Sequence, residues 1–361
     1  MPYVDEERLL TVLKALSEMA PAPLYPARYA RETGADRGKL DAALDELRRR
    51  GFVQFTEWVK DLGQGYALTE AGKAALASRR LTPVTAAADE RENADRPLGD
   101  FERGEIVRNA IFYPAPAYVS RILLWANLLY FAFGAYYAQQ HNLSVSDYLW
   151  GEGRSTIQVL IQLGALHPAL VFPDPDERPQ LERLLLCLFL HIGPLHLFMN
   201  MYFLYSFAQQ IEPMWGSARF LAIYFVSGIV SSCVVLLIFE FEQLPPHEIG
   251  VTAGASGCLY GVFVSMMVWF AFNKKHLPER LIQDWSRNTM VNVFLLIAIN
   301  FLPHISWQGH LGGAIGGTLA AMLLHAQRFH PSAAVRRLAL GGVAAVPVAF
   351  FVAMLWQAGR L

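Results

Sequence analysis

Charge is scarce in this sequence: Asp, Glu, Lys and Arg supply only 17% of the 361 residues, against 54% for the apolar types. That balance excludes an ordinary soluble protein of this size and reads as a membrane protein. An excess of either sign is missing as well, since the formal net charge is −1 and the pI about 6.8. No global field therefore draws the chain to nucleic acid or to anionic lipid, and any such affinity has to be local. Cysteine is nearly absent. Cys187, Cys233 and Cys258 all sit inside apolar runs, an odd number without metal-ligand spacing, so neither a disulfide framework nor a zinc site is indicated and buried thiols are expected. No metal and no cofactor is expected. The opening MPYVDEERLL carries acidic groups and no apolar core, so it is not read as a cleaved signal peptide, and the start of the chain is expected in the cytosol.

Residues 1–80 are amphipathic and soluble in character. Leu9, Leu10, Leu13 and Leu16 lie at helical spacing, and a second helix-like stretch runs from Tyr25 to Thr33 with Gly34 ending it. Asp36 precedes a third helical pattern with Leu40, Ala43, Leu44 and Leu47 on one stripe, closed by Arg48-Arg49-Arg50-Gly51. A small hairpin follows, Phe52–Phe55 and Tyr66–Leu68 around a Gly63-Gln64-Gly65 turn, and then a closing helix opens at Thr69. Residues 81–100 are polar, proline-bearing and without apolar period, which predicts a flexible linker. The membrane part is expected over 101–361.

Apolar runs long enough, or nearly so, to cross a bilayer fall at about 119–138, 184–211, 219–239, 255–272, 289–303, 310–326 and 338–357. Lys and Arg cluster before the first of these seven candidate spans and between the second and third, fourth and fifth, and sixth and seventh. The connection holding Pro245-Pro246-His247-Glu248 and the 304–309 turn have none. The positive-inside rule then predicts a cytoplasmic N-terminus, and seven spans an outer C-terminus. The long first outer connection, about 139–183, contains an apolar piece at 156–172 broken by Gly164 and Pro168, expected to lie in the interface and to be partly re-entrant.

Ionisable groups inside spans cost about 2.5–3.5 kcal/mol each on insertion scales and are candidates for function by default. Three segments concentrate polar residues. In Leu190–Asn200, His196 and Asn200 are four apart, so one helix face carries both, while His191 stands about 140° away. That spacing, without a Glu between the histidines, is wrong for a zinc protease; hydrogen bonding to a neighbouring helix is the alternative use of such a histidine. In Val251–Gly261, small residues including Gly254 and Gly257 crowd around Ser256, and Tyr260 shares its face. A GxSG run also serves simple helix packing, and no strand pattern precedes it as in the nucleophile elbow of soluble hydrolases. In the third, Gly309, Gly313 and Gly317 repeat every four residues and His310 begins the same face. A histidine at the top of such a close-packing seam can reach a serine at the top of another helix.

Taken together, these segments resemble the rhomboid family of intramembrane serine proteases over about residues 119–326. The matching positions are Gly164-Ala165, Arg183, the histidine run ending at Asn200, Glu212, Gly216, Gly254–Gly257 with Tyr260, and His310 with Gly313 and Gly317. The resemblance implies an all-α polytopic membrane protein with a six-helix core and, here, a seventh span at about 338–357. By the same resemblance Ser256 is the nucleophile and His310 its base, with no acidic third member, while Tyr260 packs on the imidazole. The Ser256 N–H with His196 and Asn200 forms the oxyanion hole, and His191 supports the outer loop rather than the chemistry. Substrates would be transmembrane segments of other proteins within the lipid bilayer, and the location the cell membrane. Two positions depart from the family pattern, Met214 where an Arg is frequent and Glu182 where a Trp is common. Residues 1–80 resemble in turn a winged helix-turn-helix domain, a small α+β fold whose third helix, Arg37 to Arg50, would read DNA. Its 13 Lys and Arg against 12 Asp and Glu give little phosphate attraction, so DNA binding and protein docking both stay open.

Overall fold

The structure, a computed structural model, describes residues 5–59, 62–81, 100–174, 176–242, 250–301 and 305–360. It divides into two compact units, Met1–Asp95 and Arg96–Leu361. Within the span expected as a linker, residues 82–99 lie outside the described residues, as do the connection at 245–248 and residue 304 of the 304–309 turn.

The first unit runs α1 (Glu6–Met19), α2 (Pro26–Thr33), α3 (Arg37–Arg49), β1 (Val53–Val59), β2 (Gly63–Leu68) and α4 (Glu70–Ser78). Side chains at the helix starts explain these boundaries. Asp36 accepts from the Lys39 N–H at 2.9 Å, a bond that holds its carboxyl below the usual carboxylate range. Thr69 accepts from the Gly72 N–H at 3.0 Å and donates to the Gly51 carbonyl at 2.7 Å, tying α4 to the end of α3. The leucines spaced three and four apart meet as expected: Leu9, Leu13 and Leu16 of α1 pack with Leu40, Leu44 and Leu47 of α3 over Phe52, Phe55 and Tyr66. The hairpin corrects one expectation. Gly63-Gln64-Gly65 is not the turn but part of β2, with Val59 paired to Gly63 and Val53 to Leu68. Gly65 faces Thr56 and Tyr25 so closely that a Cβ would collide with the threonine hydroxyl, so its glycine marks close strand approach rather than chain reversal.

The second unit opens with α5 (Asp100–Phe112), a helix the sequence pattern does not announce, which buries Val107. Next come α6 (Tyr118–Gln140), the short helices α7 (Val145–Trp150), α8 (Gly153–Gln162) and α9 (Pro168–Val171), then α10 (Arg183–Leu186), α11 (Gly193–Phe203) and α12 (Gln209–Trp215). The unit ends with α13 (Ser217–Glu242), α14 (Ser256–Asn273), α15 (Glu279–Ile299), α16 (Trp307–Phe329) and α17 (Ala333–Gln357). Each of the seven expected spans holds helix, but among the described residues four helices are long and apolar enough to cross a membrane, Tyr118–Gln140, Ser217–Phe239, Ser256–His276 and Ala333–Gln357, or five if a bent pair counts as one span. That pair, Arg183–Phe189 with Gly193–Trp215, turns through 90°, so the run expected at 184–211 is a broken helix. The break falls at Leu190–Ile192, with Pro194 in the first turn of α11. α15 misses the apolar threshold because its first half carries Glu279, Arg280, Asp284 and Arg287, and α16 because five glycines and polar residues such as His310 and His325 dilute its apolar ones.

Two buried ionic groups fasten this unit. The Glu212 carboxylate accepts from the Val119 and Ser120 N–H groups at 3.0 and 2.8 Å and from the Ser217 hydroxyl at 2.6 Å, capping the start of α6. Arg183 donates to the Ile161 and Ala165 carbonyls, both at 2.8 Å, and to the Gln180 side chain. The long first connection is thereby pinned to α10. Its short helices pack Tyr148, Val159, Leu160 and Leu163 around Leu190. At Met214 the backbone carbonyl accepts from Trp269 Nε1 at 3.0 Å and from the Arg328 guanidinium at 2.9 Å. α13 runs through the centre against α14, α16 and α17, and Cys187, Cys233 and Cys258 are all buried there as free thiols.

Candidate active site

Ser256 is the first residue of α14, so its N–H precedes the first donor of the intrahelical ladder and stays available to another acceptor. The segment before it is extended only at one point: Leu166 and Thr252 exchange both backbone hydrogen bonds at 2.9 Å, an isolated bridge rather than a strand. The Gly254 N–H then donates to the Cys187 carbonyl at 2.9 Å. Gly254 itself has φ +131° and lies so near His196 that a Cβ would come within 2.8 Å of the ring. Both its backbone angle and its surroundings require glycine.

α14 and α16 meet along the small residues. A Cβ on Gly313 would overlap the Gly257 carbonyl, and one on Gly317 the backbone of Gly261, while the Ser231 hydroxyl of α13 donates to the Gly309 carbonyl at 2.7 Å. The repeat read from the sequence is thus a backbone-to-backbone contact. It brings His310, in the first turn of α16, beside Ser256: Nε2 lies 2.9 Å from Oγ. Tyr260, one turn below Ser256, stacks on the imidazole with ring centroids 4.0 Å apart and planes 11° from parallel.

The other ring nitrogen has a partner that sequence reasoning missed. His310 Nδ1 lies 2.6 Å from Oδ1 of Asn300, at the C-terminal end of α15. Asn300 Nδ2 faces the Leu296 carbonyl at 2.6 Å and the Tyr260 hydroxyl at 3.1 Å, and that hydroxyl donates to the same carbonyl at 2.6 Å. A carbonyl oxygen only accepts, so the amide nitrogen must point to Leu296 and the amide oxygen to His310. Nδ1 then carries the hydrogen, and Nε2 presents its lone pair to the Ser256 hydroxyl. Ten residues and a chain reversal separate Asn300 from His310, and no spacing rule links them.

The second polar segment lies on α11 and just before it. His196 Nδ1 accepts from the Ile192 N–H at 3.4 Å, which leaves the hydrogen on Nε2, an atom that faces Gly254, where a Cβ would also lie 3.8 Å from Ser256 Oγ. Asn200 is buried one turn on, but its Nδ2 donates to the His196 carbonyl at 2.9 Å, so one amide hydrogen is engaged within its own helix. His191 is fully buried and meets His196 edge-on with centroids 5.1 Å apart. Neither of its ring nitrogens has a hydrogen-bond partner among the described residues. Ser256, His310, Tyr260, Gly254, Gly257 and His196 therefore come together at one end of the α14–α16 seam, with Asn200 and His191 adjoining.

Comparison with known proteins agrees with this architecture. The family described as Rhomboid domain matches residues 178–327, the stretch from just before α10 to the end of α16. Rhomboid protease GluP of Bacillus subtilis (strain 168) is 32% identical over 175 residues, 48% of this chain and 31% of that protein. RHOMBOID-like protein 5 of Arabidopsis thaliana is 30% identical over 178 residues, 47% of this chain and 50% of that protein. Inactive rhomboid protein 1 of Drosophila melanogaster is 28% identical over 173 residues, 47% of this chain and 11% of that protein. The chain spans half or less of the length of these three relatives, of which one is named as a protease and one as inactive. With its apolar helices and this match, the chain is an integral multi-pass membrane protein that carries a rhomboid domain over residues 178–327.

Proposed function

We propose that this chain is an intramembrane serine endopeptidase that hydrolyses peptide bonds in or near transmembrane segments of other proteins. The observation that carries the reading is the 2.9 Å approach of His310 Nε2 to the Ser256 hydroxyl, with the lone pair on the nitrogen that needs it. A protein of the inactive kind has no use for that pairing. In the proposed reaction His310 Nε2 takes the hydroxyl proton as Ser256 Oγ attacks the carbonyl carbon. It then returns that proton to the leaving amine, and a water molecule repeats the sequence on the acyl-enzyme. The Ser256 N–H, His196 Nε2–H and the second amide hydrogen of Asn200 are the donors for the oxyanion, each worth roughly 10²–10³ in rate. Gly254 leaves room for them, and Gly257 lets α16 close on α14. His191, edge-on to the His196 ring, supports the outer loop rather than the chemistry.

The positive-inside bias supports a cytoplasmic N-terminus and an outer C-terminus, and the cell membrane is the location that goes with the reading. The domain division that goes with this reading is a winged-helix-like unit over 1–80, a linker over 81–100 and the membrane domain over 101–361, with its core at about 119–326 and an extra span at about 338–357. For the first unit, protein docking is the better reading than DNA binding. Three basic residues in and just after α3 are engaged within the unit: Arg37 pairs with Asp41 at 2.8 Å, Arg50 with Glu46 at 2.7 Å, and the Arg48 guanidinium lies over Phe55. Few are left to neutralise phosphates.

Cleavage of a single-span model substrate in liposomes tests the proposal. Ser256→Ala and His310→Ala are each expected to abolish turnover and to abolish labelling by a fluorophosphonate. Cleavage by either variant at the wild-type rate would remove the assignment.

A further inference from the structure

A neutral base buried at lipid level has to be held by something, and His310 is only 6% exposed. Stacking on Tyr260 fixes the plane of its ring but not the rotation within that plane. The rotation is fixed by the bond from Nδ1 to Asn300 Oδ1 at 2.6 Å. The same amide is locked in turn by its bonds to the Leu296 carbonyl and the Tyr260 hydroxyl. An amide suits this depth better than a carboxylate, because it offers the same acceptor oxygen without the cost of burying a charge. Among the described residues of α15 only Thr289 is buried on that helix, so the helix reaches the site through its last turn.

We infer that Asn300 is a positioning residue for His310, accepting the Nδ1 hydrogen and thereby holding the tautomer in which Nε2 can take the Ser256 proton. The inference rests on the protease reading above and extends the pair to a Ser256–His310–Asn300 chain. When Nε2 gains the serine proton, both ring nitrogens become donors. Asn300 Oδ1 keeps the Nδ1 hydrogen throughout, so no proton passes to the amide.

The test compares Asn300→Leu with Asn300→Asp in the full-length protein, both near-isosteric with asparagine and both lacking the amide donor. They differ in the acceptor facing His310. Steady-state cleavage of the single-span substrate is measured beside Ser256→Ala, with the thermal unfolding midpoint of each variant as a check on folding. Asn300→Leu is expected to lower kcat by roughly 10–10²-fold with KM within about twofold, and Asn300→Asp to recover most of the loss. Wild-type kcat in Asn300→Leu would overturn the inference. So would a loss carried by KM alone, or an aspartate variant that folds like the wild type and is no more active than the leucine one. If Ser256→Ala itself cleaves, it is the protease reading that fails, whatever the Asn300 variants do.

Discussion

Replacing Gly313 by alanine adds one methyl group at the point where α16 leans on the Gly257 carbonyl of α14. Contacts of a Cβ below 3.0 Å are essentially never populated, and this one falls far inside that limit, against backbone that cannot swing away. The two helices must part by about an ångström, since a packed interior has no slack to absorb the group. Alanine is intrinsically the better helix former by about 1 kcal/mol, while overpacking costs about 1–3 kcal/mol. The net loss of stability is therefore at most about 2 kcal/mol, and the protein is expected to fold. Activity responds more steeply. The Ser256–His310 bond spans the same seam at 2.9 Å, and a displacement of that size at a reacting pair costs on the order of 10²-fold in rate. The assay is kcat/KM on the single-span substrate in liposomes together with the thermal midpoint. Gly341→Ala, in α17 with no atom within 4 Å of the added Cβ, serves as the control and should leave turnover unchanged. A Gly313→Ala protein that folds and keeps kcat/KM within about threefold of wild type would refute the view that this seam sets the catalytic distance.

Arg183→Leu strips the Ile161 and Ala165 carbonyls of a charged donor and is expected to cost about 2–3 kcal/mol, read as a lower unfolding midpoint and faster proteolysis between 145 and 180. Glu212→Gln keeps one oxygen for the Val119 N–H and the Ser217 hydroxyl but sets an NH2 donor against the Ser120 N–H, for an expected loss of about 1–2 kcal/mol by the same measurement. Thr69→Ala removes the cap of α4 and should lower the stability of the N-terminal unit by about 1 kcal/mol, followed through its own transition in circular dichroism. Binding of the full-length protein to duplex DNA is expected to be weak with a salt slope near zero; a steep fall of affinity with salt would show that the α3 arginines are exchangeable.

Much of this was legible because it is local. The caps Asp36 and Thr69, the leucine stripes of α1 and α3 and the four-residue glycine repeat are patterns within one element, and physics acts on them at short range. The glycine repeat also announced that α16 would meet a partner closely, although not that the partner would be Gly257 and Gly261. What escaped is what depends on the chain folding back. Asn300 is an unremarked amide at a helix end until the fold sets its oxygen 2.6 Å from His310 Nδ1. The hairpin register failed because a glycine pair reads as a turn, and only the neighbouring Thr56 and Tyr25 show it to be a crowded strand. The 90° break at 190–192 hid inside an apolar run whose composition is the same bent or straight. The sequence offers His310 no acidic partner and reads as a two-residue pair, whereas the fold sets the Asn300 amide against its second nitrogen.

At Gly257, Gly261, Gly313 and Gly317 the α14–α16 contact is backbone against backbone, and the Ser227 and Ser231 hydroxyls of α13 close over Gly261 and Gly257. Such a joint gains nothing from the aversion of apolar groups to water, and so has little to lose when the surrounding lipid is exchanged for a micelle. α15 is different, since Met290, Phe294, Leu295 and Phe301 along and just beyond it face outward and take their neighbours from whatever solvates them. Preparations in different detergents should therefore share the serine–imidazole spacing and diverge in how firmly the flank of the site is closed.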